Sequence, residues 1–166
     1  MSAPRLTTER LVLRAATLAD FEDYATMWAH PSVTAHIGGT PRPRDVSWVK
    51  FTQMAGLWPL LGYGYWLVEA DRRQIGIAGF GRFERGLAGL EGFPEAGWAF
   101  GIDHWGRGYA SEAVAAICAW SDDERLGETR CLIDDDNVAS IKVAERNRFV
   151  ALEPVLNGKA KLYCRR

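Results

Sequence analysis

His104-Trp105-Gly106-Arg107-Gly108-Tyr109-Ala110-Ser111-Glu112-Ala113 lies between a strand-like run, Glu95 to Ile102, and a helix-like run, Ala110 to Trp120. Two glycines one residue apart let the chain turn tightly with positive φ, and they leave backbone N–H groups uncovered. The helix that follows adds about half a positive charge at its N-terminus, together with orphan N–H donors. Strand, glycine turn and helix start make a phosphate cradle, with Arg107 as a cationic arm. An ordinary βα turn needs the same glycines, so these ten residues alone leave both readings open.

The chain has 166 residues, enough for one domain, 1–166, with its own core. Charged residues make up 25% and hydrophobic residues 48%, the balance of a globular protein. A net charge of −1 gives no footprint for nucleic acid. No apolar run approaches the ~20 residues of a membrane span, and the N-terminus lacks the apolar segment of a secretion signal. Cys118, Cys131 and Cys164 are odd in number and scattered, which argues against a disulfide framework or a zinc site. A cytoplasmic protein is expected. Trp28, Trp48, Trp58 and Trp66 crowd the first half, as core residues or as walls of a substrate pocket.

Outward from the glycine turn the pattern alternates between two periods. Arg10 to Arg14 reads as a first strand with one buried face. Thr17 caps a helix carrying Leu18, Phe21, Tyr24, Ala25 and Trp28, which Pro31 stops, with a short turn through His36. Residues 38–43 form a loop. Asp45 caps a second helix that ends before Pro59. Tyr65 to Ala70 and Ile75 to Phe83 make a hairpin, in which Gly76, Gly79 and Gly81 mark a weak strand, a bulge or a close approach. A glycine-rich loop, 84–94, leads to the strand Glu95 to Ile102. After the helix come a strand, Thr129 to Ile133, and a helix, Val138 to Asn147. Phe149 to Leu156 and Lys159 to Cys164 close as a hairpin on Asn157-Gly158. The expected fold is α/β (α+β): a mixed, mostly antiparallel sheet of about seven strands flanked by about four helices.

This order removes the usual nucleotide folds. A dinucleotide-binding fingerprint wants its third glycine where Ser111 stands, and wants the turn after the first strand, not the fourth. No phosphate loop of the G-x-x-x-x-G-K-[ST] type exists in the chain.

Five segments in order resemble the GNAT superfamily of acyl-CoA N-acyltransferases, in its ribosomal-protein N-terminal acetyltransferase branch (RimJ/RimL-type). Leu6-Thr7-Thr8-Glu9-Arg10-Leu11-Val12-Leu13-Arg14 looks like that branch's opening strand, and Thr17-Leu18-Ala19-Asp20 like its first helix start. Glu95-Ala96-Gly97-Trp98 is similar to its central Glu-x-Gly-aromatic. Trp105 to Ala113 is close to its pyrophosphate loop, and Asn137-Val138-Ala139-Ser140 matches its Asn-x-x-Ser. The superfamily's loop carries Gln or Arg where Trp105 stands, although Trp is usual in this branch. The last helix typically ends Asn-Gly-Phe, and here it reads Asn147-Arg148-Phe149. Arginine in the left-handed conformation would cost on the order of 1 kcal/mol.

The resemblance implies a GNAT fold whose fourth and fifth strands splay apart, acetyl-CoA as donor and an amine as acceptor; no carboxylate–histidine cluster has metal spacing in the sequence, so no metal is expected. The resemblance also implies that Phe100, Gly101, Ile102, Trp105, Gly106, Arg107, Gly108, Tyr109, Ala110, Asn137 and Ser140 bind the cofactor. Phe100 would polarise the thioester carbonyl through its backbone N–H. The amine would attack directly, because no Ser-His-Asp order or nucleophilic Cys context is apparent. Glu95 is the candidate base, acting through water, although a strand Glu in a structural ion pair fits the residue as well; Glu153 is a second candidate. Many relatives use a tyrosine where this chain has Ala144, so Ser140 is the candidate partner of the leaving thiolate. Ser140 and Asn137 also fit capping roles on the helix they begin. His30, His36 and His104 are expected to be solvated or capping.

The acceptor, a protein N-terminus or a small amine, would be gripped by the first two helices and the loop 86–94. Glu84, Glu91 and Glu95 hint at an acidic wall suited to polycationic amines. A CoA-binding regulatory or interaction module without turnover is the alternative. Apolar residues on the second helix or the last hairpin would suit a homodimer.

Overall fold

The computed structural model describes residues 2–166. Among them, eight strands form one sheet in the order β1-β2-β3-β4-β5-β6-β8-β7. The strands are β1 (Leu6–Thr7), β2 (Val12–Arg14), β3 (Tyr65–Ala70), β4 (Arg73–Gly81), β5 (Glu95–Phe100), β6 (Thr129–Asp134), β7 (Val150–Val155) and β8 (Ala160–Arg165). The helices are α1 (Phe21–Trp28), α2 (Pro31–Thr34), α3 (Arg44–Leu61), α4 (Tyr109–Asp123) and α5 (Val138–Arg146). No helix is long and apolar enough to cross a membrane, among the described residues.

The mixed sheet agrees with expectation, with two additions. Leu6 and Thr7 pair with Leu13 and Val12, making an eighth strand too short for periodicity to reveal. Pro31 does stop α1 but also starts α2, because proline at the first helical position forgoes an N–H that has no partner there. The second long helix departs further. Pro43, not Asp45, occupies its N-cap, and Asp45 lies in its first turn. It continues through Pro59 to Leu61 and ends on Gly62, whose φ of 75° turns the chain away. Pro59 is exposed near the helix end, so its ring sits in solvent and the carbonyl it leaves unbonded, that of exposed Ala55, can be hydrated. The expected two-residue Asn-Gly turn is instead a four-residue connection. Val155 pairs with Ala160, a 3-10 turn spans Leu156–Gly158, and the Lys159 N–H donates to the Leu156 carbonyl (3.3 Å).

Every neighbouring pair is antiparallel except β5 and β6. These run parallel and share one register pair, Glu95↔Arg130, with the Arg130 N–H on the Pro94 carbonyl (3.0 Å). Beyond that rung the two strands part, which is the splay the sequence implied.

The two faces of the sheet bury different helices. Ala96 and Phe100 point with Trp66 and Phe80 towards α4, and Ala113, Val114 and Ile117 close over them. Ala99, Ile77 and Leu67 point the other way, against Phe21, Tyr24, Trp28, Phe51 and Met54 of α1 and α3. Trp58, Trp66 and Trp120 meet edge to face at 4.5–5.3 Å in the first cluster. Trp48, by contrast, stays partly exposed against Phe21.

At the end of α5, Arg148 does adopt the left-handed conformation, at φ 65°. The Phe149 N–H reaches the Ala144 carbonyl and the Arg148 N–H the Glu145 carbonyl, both at 3.0 Å, which is a Schellman closure without its glycine.

Candidate active site

The turn ahead of α4 is built as the sequence suggested. β5 ends at Phe100, two residues earlier than expected, because Ile102–His104 curl into a 3-10 turn. Gly106 and Gly108 then take φ of 73° and 81°, values that L side chains adopt at a cost. A Cβ on Gly106 would meet nothing, so the outer side of the turn is open. Among the described residues, no backbone carbonyl accepts from the N–H groups of residues 106–111; the next, that of Glu112, reaches the Gly108 carbonyl (3.1 Å). Six consecutive donors at an open helix N-terminus are an anion cradle. The exposed Arg107 side chain forms no ion pair among the described residues.

A clamp from the far end of the chain holds this turn. Glu112 accepts from the Thr8 hydroxyl (2.6 Å), the Arg10 N–H (2.9 Å) and the Arg10 guanidinium (2.7 Å). The same guanidinium donates to the Arg107 carbonyl (2.9 Å) and lies 4.8 Å from the Tyr109 ring centre. Burial pushes the Glu112 carboxyl up, but the bonds from Thr8 and Arg10 prevail and hold it below its ordinary value. The segment resembling the family's opening strand thus serves the turn, a link that spacing could not reveal.

Strand alternation settles where the β5 donors point. The Gly101 N–H donates to Ile75 of the β4 side (2.9 Å), so the N–H and carbonyl of Phe100 face the opposite way, into the splay. The Phe100 carbonyl takes the Trp105 indole N–H (2.7 Å), which anchors the turn to the strand end. Its N–H is left facing the gap. The Gly101 carbonyl receives the His104 N–H (3.0 Å), so both its polar groups are used within the protein. Ile102 is partly exposed, and its carbonyl receives the Trp105 N–H (3.2 Å). Across the gap, Asn137 caps α5, its Oδ1 accepting from the Ser140 N–H (3.1 Å).

The gap opens into a cleft of about 810 Å³ that reaches from Asn137 and Ser140, past Glu95 and Gly97, to Trp28 and Arg42. Glu95 is mostly buried and pairs with Arg85. Burial raises its carboxyl above the ordinary range, and Arg85 pulls it back only in part. The hydroxyl of half-buried Tyr65 sits against Gly97, where a Cβ would run into it. Burial and then the Glu95 charge raise its phenol, so Tyr65 stays protonated and able to donate. Burial also pushes the Cys131 thiol far up, which removes it as a nucleophile.

Three expectations about the acceptor side change. Residues 82–85, not 86–94, reach the cleft; the later segment folds back, with Arg130 stacked on Phe93 at 3.6 Å. The acidic wall is neutralised, since Glu84 pairs with Arg82 (3.0 Å) and Glu95 with Arg85, while Glu91 lies outside the lining. His36 is not simply solvated: it lies 3.6 Å from Asp134 and 3.3 Å from Asp136. These three side chains form a histidine–carboxylate group that spacing along the sequence concealed. His30 is the capping residue expected, accepting from the Ser32 N–H (3.2 Å). Trp28 is the one of the four early tryptophans offered as core or pocket wall that lines the cleft; Tyr65, Arg42 and Arg85 have no signal in the sequence, because the meeting of these residues depends on β3, α1 and two loops coming together.

The comparisons with known proteins agree with this geometry. The Acetyltransferase (GNAT) domain family matches residues 10–150. An uncharacterized N-acetyltransferase, p20, of Bacillus licheniformis is 32% identical over 149 residues, covering 87% of this chain and 81% of its own. The crystal structure of an acetyltransferase from Agrobacterium tumefaciens superposes with a TM-score of 0.86 at 29% identity, covering 100% of this chain and 96% of the other. RimL, a ribosomal L7/L12 alpha-N-protein acetyltransferase in complex with coenzyme A, shares the fold at 17% identity with a TM-score of 0.79, covering 98% of this chain and 97% of its own. With a family match across most of its length, the chain belongs to the GNAT acetyltransferases.

Proposed function

We propose that the protein transfers an acetyl group from acetyl-CoA to an amine by direct attack, in the cytoplasm. The observation that carries this reading is the row of six N–H groups at residues 106–111 that find no acceptor among the described residues, opening beside the gap between β5 and β6. A pyrophosphate matches it in charge and in its number of acceptor oxygens. The CoA held by the fold relative RimL supports the donor.

In this reading Gly106, Arg107, Gly108, Tyr109 and Ala110 hold the pyrophosphate, and Trp105 fixes the turn. Asn137 and Ser140 flank the pantetheine arm in the gap. The Phe100 N–H accepts the developing oxyanion. Glu95 takes the proton of the attacking ammonium, directly or through water, and its raised carboxyl suits that task near neutral pH. The nitrogen bonds to the carbonyl carbon, its second proton passes to water, the tetrahedral intermediate collapses, and the C–S bond breaks to release thiolate. The Ser140 hydroxyl donates to that sulfur.

The second reading is a CoA-binding module without turnover. It draws on Ala144, fully buried where many relatives carry a tyrosine. Thiol release from acetyl-CoA across a panel of amines and N-terminal peptides separates the two. Release with at least one acceptor, reduced in Ser140→Ala, is expected. Tight CoA binding with no release for any acceptor overturns the transferase reading, and full kcat in Ser140→Ala removes Ser140 from the mechanism.

A further inference from the structure

The charges lining the cleft do not balance: among the described residues two of its cations, Lys50 and Arg42, meet no carboxylate, and of these Lys50 is exposed and Arg42 half-buried. The carboxylates of Glu84 and Glu95 face Arg82 and Arg85, and Asp134 faces His36. Lys50 donates to the Gln53 side-chain oxygen (3.4 Å) and forms no ion pair among the described residues. Arg42 is left with no carboxylate; its titratable neighbours are the phenols of Tyr24 and Tyr65.

Arg42 is nevertheless held firmly. Its guanidinium lies flat over the Trp28 ring, 3.5 Å from the centre, and its backbone N–H donates to the Trp28 carbonyl (3.0 Å). Stacking fixes the plane of the fork; the Tyr24 hydroxyl lies within hydrogen-bonding reach as a neutral partner, and the five-donor fork keeps further N–H groups for an anion. Beneath it, the Trp28 indole N–H is buried without an acceptor. Burial pulls the Arg42 guanidinium below its ordinary value, as a desolvated cation without a counter-charge should be. A half-buried, preorganised guanidinium with neutral partners but no counter-charge among the described residues is costly unless a ligand anion completes it.

We infer that Arg42, stacked on Trp28, is an oxyanion-binding subsite, and that the acceptor is a small amine which also carries a carboxylate or phosphate. This rests on the transferase reading for the amine's fate but not for the anion's binding. It runs against the polycation that Glu84 and Glu95 first suggested, because both are already paired.

The test titrates the CoA-loaded protein with O-phosphoethanolamine, γ-aminobutyrate and spermidine, following the Trp28 indole N–H by NMR. At least one anionic amine is expected to shift that resonance saturably, and to bind about tenfold or more weakly to Arg42→Met. Loss of charge at the exposed turn residue, Arg72→Ala, should leave that affinity unchanged. The arm more sensitive to Arg42→Met identifies phosphate or carboxylate as the preferred anion. Spermidine binding tighter than both, or no Arg42-dependent shift with either, overturns the subsite. Thiol release is measured separately, with acetyl-CoA in place of CoA and the same three amines. Arg42-dependent binding with no release here or anywhere in the amine and peptide panel overturns the transferase reading alone, whereas release to spermidine only overturns the subsite alone.

Discussion

The turn at residues 106–111 offers a ligand backbone N–H groups, whereas the cleft beside Glu95 offers side chains drawn from α1, α3, β3 and two loops. The first is made by ten consecutive residues and a helix end, and its chemistry is nearly independent of which side chains surround it. The second is made by ion pairs and stacked rings between residues distant in sequence: Arg85 with Glu95, Arg42 with Trp28. A site of backbone donors binds what is common to a whole family. A site of side chains is free to vary and sets what is particular to one protein.

That contrast can be broken at four points. The largest effect is expected at Glu95→Gln, which should lower kcat by roughly 10²–10⁴-fold if Glu95 is the base. Wild-type kcat/KM should show an acid limb above 4.5, the carboxyl's ordinary value, that vanishes in the amide variant. A carboxyl raised by folding favours the folded state when protonated, and that contribution is lost as pH climbs through the raised value. Glu95→Gln should therefore melt no lower than wild type at pH 7. Unchanged kcat assigns Glu95 to its ion pair.

Next comes Gly108→Val, which puts a β-branched side chain at φ 81° and should weaken CoA binding about tenfold or more by calorimetry, with the fold intact by circular dichroism. Unchanged affinity in a folded protein removes the turn from the donor site. Glu112→Gln should cost roughly 1–2 kcal/mol in denaturant unfolding at pH 7. Because the Glu112 carboxyl is depressed on folding, its contribution is present above about 4.5 and fades as pH falls through the lower folded value, so the two proteins should converge in acid. The smallest effect is a gain: Arg148→Gly, at φ 65°, should add about 1 kcal/mol of stability with kcat unchanged.

The same contrast explains what was legible in the sequence. Long amphipathic runs, the hairpin after Tyr65 and the glycine turn were readable because each rests on local chemistry: side-chain period, capping and positive φ. Leu6–Thr7 escaped as a strand because two residues carry no period, and α3 crossed Pro59 because an exposed proline near a helix end removes one hydrogen bond from a segment held by Met54, Leu57 and Trp58. At the site, the turn and the Asn137 cap were visible beforehand. The Thr8–Arg10–Glu112 clamp, the Tyr65 hydroxyl over Gly97 and the Arg42–Trp28 stack were not, since each joins positions whose proximity only the tertiary fold creates.

The single parallel rung between β5 and β6 has a mechanical consequence. The sheet is two blocks, β1–β5 and β6–β8, sutured at Glu95↔Arg130, with α4 and α5 bridging behind. A ligand lying in the seam touches both blocks and adds cross-links where the ladder has none. Its binding should slow amide hydrogen exchange on both banks of the seam together. Thermal stability should then rise with ligand concentration by mass action, so that a ligand bound in the seam becomes a temporary part of the sheet.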